Sequence, residues 1–190
     1  MSLKESLIRD GFAIVPNFIN RDRALALFET YKQAEIIKDR VDYQAPESSH
    51  AVWNFRPFLE ILCEKIPHVS EMVEELVFPT YTYSRIYRNG NVLERHTDRP
   101  ACEISLTVHM YGDKEWPIYM ETPEGVQVPV ILGPGDAAIY LGCDTPHWRD
   151  VYEGEEYGQV FFHYVLSTGM YWDEHFNLKH FAKSLKEVKA

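Results

Sequence analysis

Apolar residues recur at helical spacing in the first part of the chain and alternate with polar ones from about residue 81 onward. Leu27, Phe28, Tyr31 and Ala34 fall on one helical face, and Asn20 and Asp22 can cap a helix running to about Ile37. Two short helices are predicted over 55–66 and 70–76, and a loop over 41–53, where Pro and Ser interrupt the pattern. Residues 81–87 alternate as a strand and 88–91 read as a turn. Residues 103–110 alternate again, with Ile104, Leu106 and Val108 on one face and Ser105, Thr107 and His109 on the other. A Gly-Pro-Gly-Asp turn at 133–136 leads into a short apolar strand at 137–141. A loop at 142–146 then precedes His147, and 157–165 form the next strand. Phe176, His180, Phe181, Leu185 and Val188 make a C-terminal helical stripe suited to the core or to a homodimer contact.

Short strands separated by turns predict a sandwich or barrel. A chain of 190 residues, 45% hydrophobic and 25% charged, is expected to form one domain, 1–190. Its parts are a helical support over about 1–80, a barrel core over about 81–165 and a C-terminal helix over about 172–189.

His96 and Asp98, two residues apart, point to the same face if they share a strand, and His147 supplies a second imidazole from a neighbouring strand. Two histidines and one carboxylate on one face of a metal form the facial triad of non-heme Fe(II) oxygenases, which leaves the other positions open. The H-x-D pair alone is weak evidence. With 8 histidines and ten aspartates, chance gives roughly 0.4 occurrences in a chain of this length, so turn and strand order carry the assignment.

Charge changes the picture at the mouth of the barrel. The formal net charge is −10, yet five of ten arginines, Arg85, Arg88, Arg95, Arg99 and Arg149, lie near the ligand candidates and would focus an anion toward the metal. The plain alternative is surface ion pairs with Glu94, Glu103 and Asp150. The acidic balance argues against nonspecific nucleic-acid binding. Three cysteines without paired spacing, no signal-like N-terminus and no apolar run of about 18 residues give the expectation of a cytoplasmic protein with no membrane partner.

The stretch 86–100, with Tyr87, the Gly90 turn, His96 and Asp98 in order, resembles the Fe(II)/2-oxoglutarate-dependent dioxygenases, particularly the prolyl hydroxylase-like branch. Residues 11–18 are similar to the strand that often opens those domains, so the resemblance runs from there to about Val165. It implies a mainly β fold with flanking α-helices, a double-stranded β-helix (jelly-roll, cupin-like) barrel. It also implies Fe(II), 2-oxoglutarate as cosubstrate and O2, and hydroxylation of a small molecule or peptide with release of succinate and CO2. By the same resemblance His96, Asp98 and His147 are catalytic metal ligands, Tyr87 sits beside 2-oxoglutarate, and His109 takes the place of a tyrosine that commonly touches it.

One departure stands out. The family usually places Arg or Lys on the strand after the distal histidine, whereas 155–159 carry no basic residue. Arg85 and Arg149 are the candidates to pair with the far carboxylate, with Tyr157, Gln159 and His163 adding neutral hydrogen bonds from one strand face. Trp148, beside His147, is a candidate pocket wall. Two alternatives stay open: a cupin-like metalloenzyme without 2-oxoglutarate, although cupins usually present H-x-H, and a noncatalytic barrel that only binds.

Overall fold

A computed structural model describes residues 2–33 and 50–177. In chain order the elements are α1 (Leu3–Asp10), β1 (Phe12–Val15), α2 (Arg21–Lys32), β2 (His50–Trp53), α3 (Arg56–Glu64), α4 (Ile66–Val73), β3 (Val77–Arg88) and β4 (Leu93–His96). They continue with β5 (Ile104–Gly112), β6 (Ile118–Glu121), β7 (Gln127–Val130), β8 (Ala137–Leu141), β9 (His147–Arg149) and β10 (Glu156–Leu166). Six strands form one sheet in the order β1-β8-β5-β10-β3-β2, and four form a second in the order β4-β9-β6-β7. Every pairing is antiparallel. This is the double-stranded β-helix expected from the sequence.

The larger sheet has two unlike faces, and period-two alternation assigns them. Ile86, Leu106, Val108, Ile139, Val160 and Phe162 turn outward and are buried with Phe28, Phe58, Ile61 and Val69 of the helices. Helix α2 comes so close to β10 that a Cβ on Gly158 would lie 2.1 Å from the Phe28 ring. The other face looks into the barrel. On the β1–β8 side it is apolar, with Phe12, Ala138 and Tyr140 against Ile118, Met120 and Val130 of the smaller sheet. On the β3–β10–β5 side it is polar and aromatic. There the register sets Gln159 beside both Arg85 and His109, and His163 beside both Tyr81 and Ser105.

Some elements differ from the sequence expectation. Residues 50–53 form strand β2, paired with β3, rather than part of a loop. Asn20 alone caps α2, its side chain accepting from the backbone N–H groups of Asp22 and Arg23; Asp22 lies in the first turn, where its charge favours the helix dipole. The helix ends at Lys32, and Ala34 to Ile37 lie outside the described residues. Helix α1 was not foreseen, although Ser2 and Glu5 form a capping box and Gly11 ends it at φ 82°. Strands β6 and β7 were not foreseen either, being four residues each, with Pro129 inside β7. Of the predicted C-terminal helix only a 3-10 segment, Trp172–Asn177, is described, and His180, Phe181, Leu185 and Val188 lie outside the described residues. No helix among the described residues is long and apolar enough to cross a membrane.

Candidate metal centre

Ligand atoms of His96, Asp98 and His147 lie within 4.8 Å of one another at one mouth of the barrel. His96 ends β4 and His147 opens β9, and these two residues are register partners with ring centres 4.3 Å apart. Asp98 does not share the strand with His96, as the i, i+2 spacing suggested. It lies just beyond β4, where its backbone N–H donates to the Gly142 carbonyl at 2.8 Å. The loop ahead of His147 therefore positions Asp98 as well as His147. A Cβ on Gly142 would fall 2.0 Å from the Cys102 carbonyl and 2.9 Å from Asp98 Oδ2, so glycine is what lets that loop approach.

Backbone carbonyls fix the tautomers of both imidazoles. Nδ1 of His96 donates to the Glu94 carbonyl at 2.7 Å and Nδ1 of His147 to the Thr145 carbonyl at 3.0 Å. Each Nε2 then presents its lone pair toward Asp98 Oδ1, at 3.6 and 3.8 Å. Burial works against ionising Asp98, but the His96 contact, the His147 and His163 imidazoles and the Ser105 hydroxyl outweigh it and hold the carboxyl at about 2. Burial foremost keeps His147 below its ordinary value. For His96, burial is outweighed by Asp98 and the Glu94 carbonyl, and its pKa lies above the ordinary value. An anion and two inward lone pairs at this spacing fit a divalent cation with ligand bonds of about 2.1 Å after small side-chain adjustment.

One residue that meets Asp98, Ser105, was not among the site candidates of the sequence. Ser105 Oγ donates to Asp98 Oδ2 at 2.9 Å and lies 2.9 Å from His163 Nδ1. With Oδ2 tied to Ser105, Oδ1 faces the histidines. The polar alternation Ser105-Thr107-His109 was the available signal, but it did not say which of these residues would meet Asp98.

Deeper in the barrel, Arg149 stands on the same strand face as His147 and is 2% exposed. Its guanidinium lies 4.8 and 4.9 Å from the ring centres of Trp116 and Tyr157. It donates to the Trp116 carbonyl, and Nη2 lies 3.4 Å from Gln159 Oε1, while Gln159 Nε2 donates to Thr107. No carboxylate among the described residues pairs with it. A buried cation held only by neutral groups is costly unless an anion joins it, so this layer of the barrel fits a ligand carboxylate.

The remaining expected residues group near this layer. Arg85 is buried, with its guanidinium 4.6 Å from the centre of the Tyr87 ring. Tyr87 and Tyr157 belong to a buried aromatic cluster with Trp116 and Tyr152. His109 packs on Tyr157, ring centres 4.4 Å apart, four residues along β5 from Ser105. Its Nδ1 is buried without a hydrogen-bond partner among the described residues, and burial, with the nearby Arg149 charge, lowers its pKa to about 3. His109, Trp116 and Tyr157 line a cavity of about 430 Å³, to which none of the three ligand candidates contributes. Trp148 is not a pocket wall. It stacks on Tyr119 of the adjacent β6, ring centres 5.5 Å apart, because it alternates with the inward-facing His147 and Arg149. The ion pairs differ from those expected: Arg88 pairs with Glu156 at 2.6 Å and Arg95 with Glu121 at 2.7 Å.

The two sheets, with a histidine-carboxylate cluster at one mouth, have the fold of the 2-oxoglutarate–Fe(II) oxygenases. No family model matches the sequence, and no curated protein matches it. Among solved structures, a prolyl-4-hydroxylase from Pseudomonas putida superposes with a TM-score of 0.64 at 13% identity, over 85% of this chain and 96% of that one. HygX from Streptomyces hygroscopicus, solved with nickel and 2-oxoglutarate bound, gives 0.70 at 11% identity over 86% of each chain. SnoN, a non-heme α-ketoglutarate-dependent epimerase from nogalamycin biosynthesis, gives 0.71 at 13% identity over 87% of this chain and 82% of that one. At such identities the likeness establishes the fold, and the chemistry has to be argued from this chain's own residues.

Proposed function

We propose that this protein is an Fe(II)- and 2-oxoglutarate-dependent dioxygenase that hydroxylates a small molecule or peptide. The observation that carries the reading is the pairing of two features inside one barrel: the His96–Asp98–His147 cluster and, on the strand face of His147, the buried Arg149 without a carboxylate partner. In this reading His96, Asp98 and His147 hold the metal, and Arg149 receives the far carboxylate of 2-oxoglutarate. Fe(II) and 2-oxoglutarate with O2 supply an oxidative decarboxylation, giving succinate and CO2, whose oxidising power is spent on a substrate C–H bond.

The chain's own residues supply geometry and dryness. Backbone carbonyls at Glu94 and Thr145 fix the imidazole tautomers. Ser105 holds Asp98 by one oxygen, which favours one-point binding to the metal and leaves coordination positions for ligands. Gln159 and Thr107 orient the far end, and the aromatic cluster of Tyr87, Trp116, Tyr152 and Tyr157 excludes water behind it. Arg149 also answers the missing basic residue on β10, since its guanidinium reaches Gln159 from β9. Arg85, the register partner of Gln159 on β3, is the second candidate for the same carboxylate.

The test is anaerobic titration of Fe(II)-loaded protein with 2-oxoglutarate, read as a weak visible charge-transfer band. A saturable band supports the reading. Tight metal binding without the band favours a cupin-like metalloenzyme, and no metal binding favours a barrel that only binds.

A further inference from the structure

Of the five arginines near the ligand candidates, Arg88 and Arg95 pair with Glu156 and Glu121, and Arg85 and Arg149 are buried. Arg99 is unlike all of these. It directly follows Asp98, it is exposed, and no carboxylate among the described residues lies at ion-pair distance from it. Its side chain nevertheless folds back onto the protein. The guanidinium carbon lies 4.6 Å from the centre of the Tyr81 ring and 5.6 Å from that of Trp53, and Nε donates to the Tyr81 hydroxyl at 3.3 Å.

That position is on the metal side of the barrel. Tyr81 packs on His163, ring centres 4.5 Å apart, and His163 meets Ser105, the hydroxyl that donates to Asp98. From Trp53 an aromatic wall continues along the inner sheet face to Tyr83, 4.9 Å away, and from Tyr83 to Phe161, 6.0 Å away. Cation–π contacts of an exposed guanidinium use its flat face and are weak. Its N–H edge, the part that grips a carboxylate with two parallel hydrogen bonds, meets no carboxylate of the described residues.

We infer that Arg99, with Trp53, Tyr83 and Phe161, is a recognition site for an organic acid: the carboxylate pairs with the Arg99 guanidinium and the apolar body lies on the three rings. That this acid is the substrate rests on the proposed function, whereas the carboxylate site itself rests on the geometry. One residue beyond a metal ligand, such a site would hold a C–H bond close to the carboxylate in front of the metal. Charge selects acids over their neutral amides, and the rings select acids with an apolar body over acetate.

Phenylacetate, phenylacetamide and acetate test this with the full chain. Binding is followed by NMR of arginine Nε–H groups in ¹⁵N-labelled protein, with Arg99→Gln as the variant. The expected result is saturable binding of phenylacetate that shifts the Arg99 resonance, at least tenfold weaker binding of acetate, and none of phenylacetamide. Arg99→Gln should weaken phenylacetate binding at least tenfold while keeping the parent thermal midpoint. The inference is overturned if acid and amide bind alike, if phenylacetate does not bind, or if it binds Arg99→Gln as well as the parent. Should the parent fail to bind 2-oxoglutarate yet hold phenylacetate through Arg99, the oxygenase reading falls and the carboxylate site stands.

Discussion

Arg149 Nη2 lies 3.4 Å from Gln159 Oε1, so β9 delivers a guanidinium to a layer of the barrel where β10 itself offers only an amide. Replacing that cation with a neutral amide removes a charge-assisted contact worth about 1.5–3 kcal/mol. Arg149→Gln should therefore raise half-saturating 2-oxoglutarate roughly 10- to 150-fold and leave Fe(II) affinity near the parent value. The charge-transfer titration measures both. If Arg85→Gln moves the midpoint and Arg149→Gln does not, Arg85 is the anchor.

Gly142→Ala should damage the metal centre without touching a ligand. Its Cβ would meet the Cys102 carbonyl at 2.0 Å, a backbone atom that cannot rotate away, and crowd Asp98 Oδ2 and Ser105 Oγ at 2.9 Å each. Overpacking of this kind costs about 1–3 kcal/mol. A lower urea midpoint together with at least tenfold weaker metal binding is expected, and an unchanged protein would contradict the close approach.

Removing Asp98 and loosening it should have different effects. Asp98→Ala takes away the anionic ligand, so metal binding and turnover are lost, and because its surroundings hold the carboxyl at about 2 in the folded protein, the metal-free variant should also show a lower urea midpoint. Ser105→Ala keeps the carboxylate but frees Oδ2, and losses of about 10- to 100-fold in metal affinity are typical for such supporting contacts. Calorimetric metal titration separates the two.

Acid should destabilise the metal-free protein through buried neutral histidines. Burial lowers His163 to about 4 and His109 to about 3, below the ordinary 6.5. As pH falls below 6.5 the unfolded chain takes up these protons and the folded one does not, so stability drops by up to about 1.4 kcal/mol per pH unit for each. The loss runs from 6.5 down to the folded values. His109→Phe should cut the difference in urea midpoint between pH 7.5 and pH 5 by about one proton's share. It should leave stability at pH 7.5 unchanged or slightly higher, since Nδ1 makes no hydrogen bond among the described residues.

Much of this molecule was determined by local pattern. Alternation at Ile104-Leu106-Val108 against Ser105-Thr107-His109 announced which face of β5 meets the helices and which lines the barrel, because strand side chains alternate regardless of context. Gly90 and Gly135, at φ 83° and 90°, marked their turns because L side chains avoid that region. The three ligand candidates were named from spacing and order. What decided the rest was long-range pairing. Asp98 reaches the cluster through a backbone bond to Gly142, Arg149 meets Gln159 across two sheets, and Arg99 turns onto Tyr81 rather than Glu103. Strands β2, β6 and β7 likewise exist because neighbours complete their hydrogen bonds. Periodicity reports the face a residue belongs to, and only the folded register brings faces distant in sequence to within bonding distance.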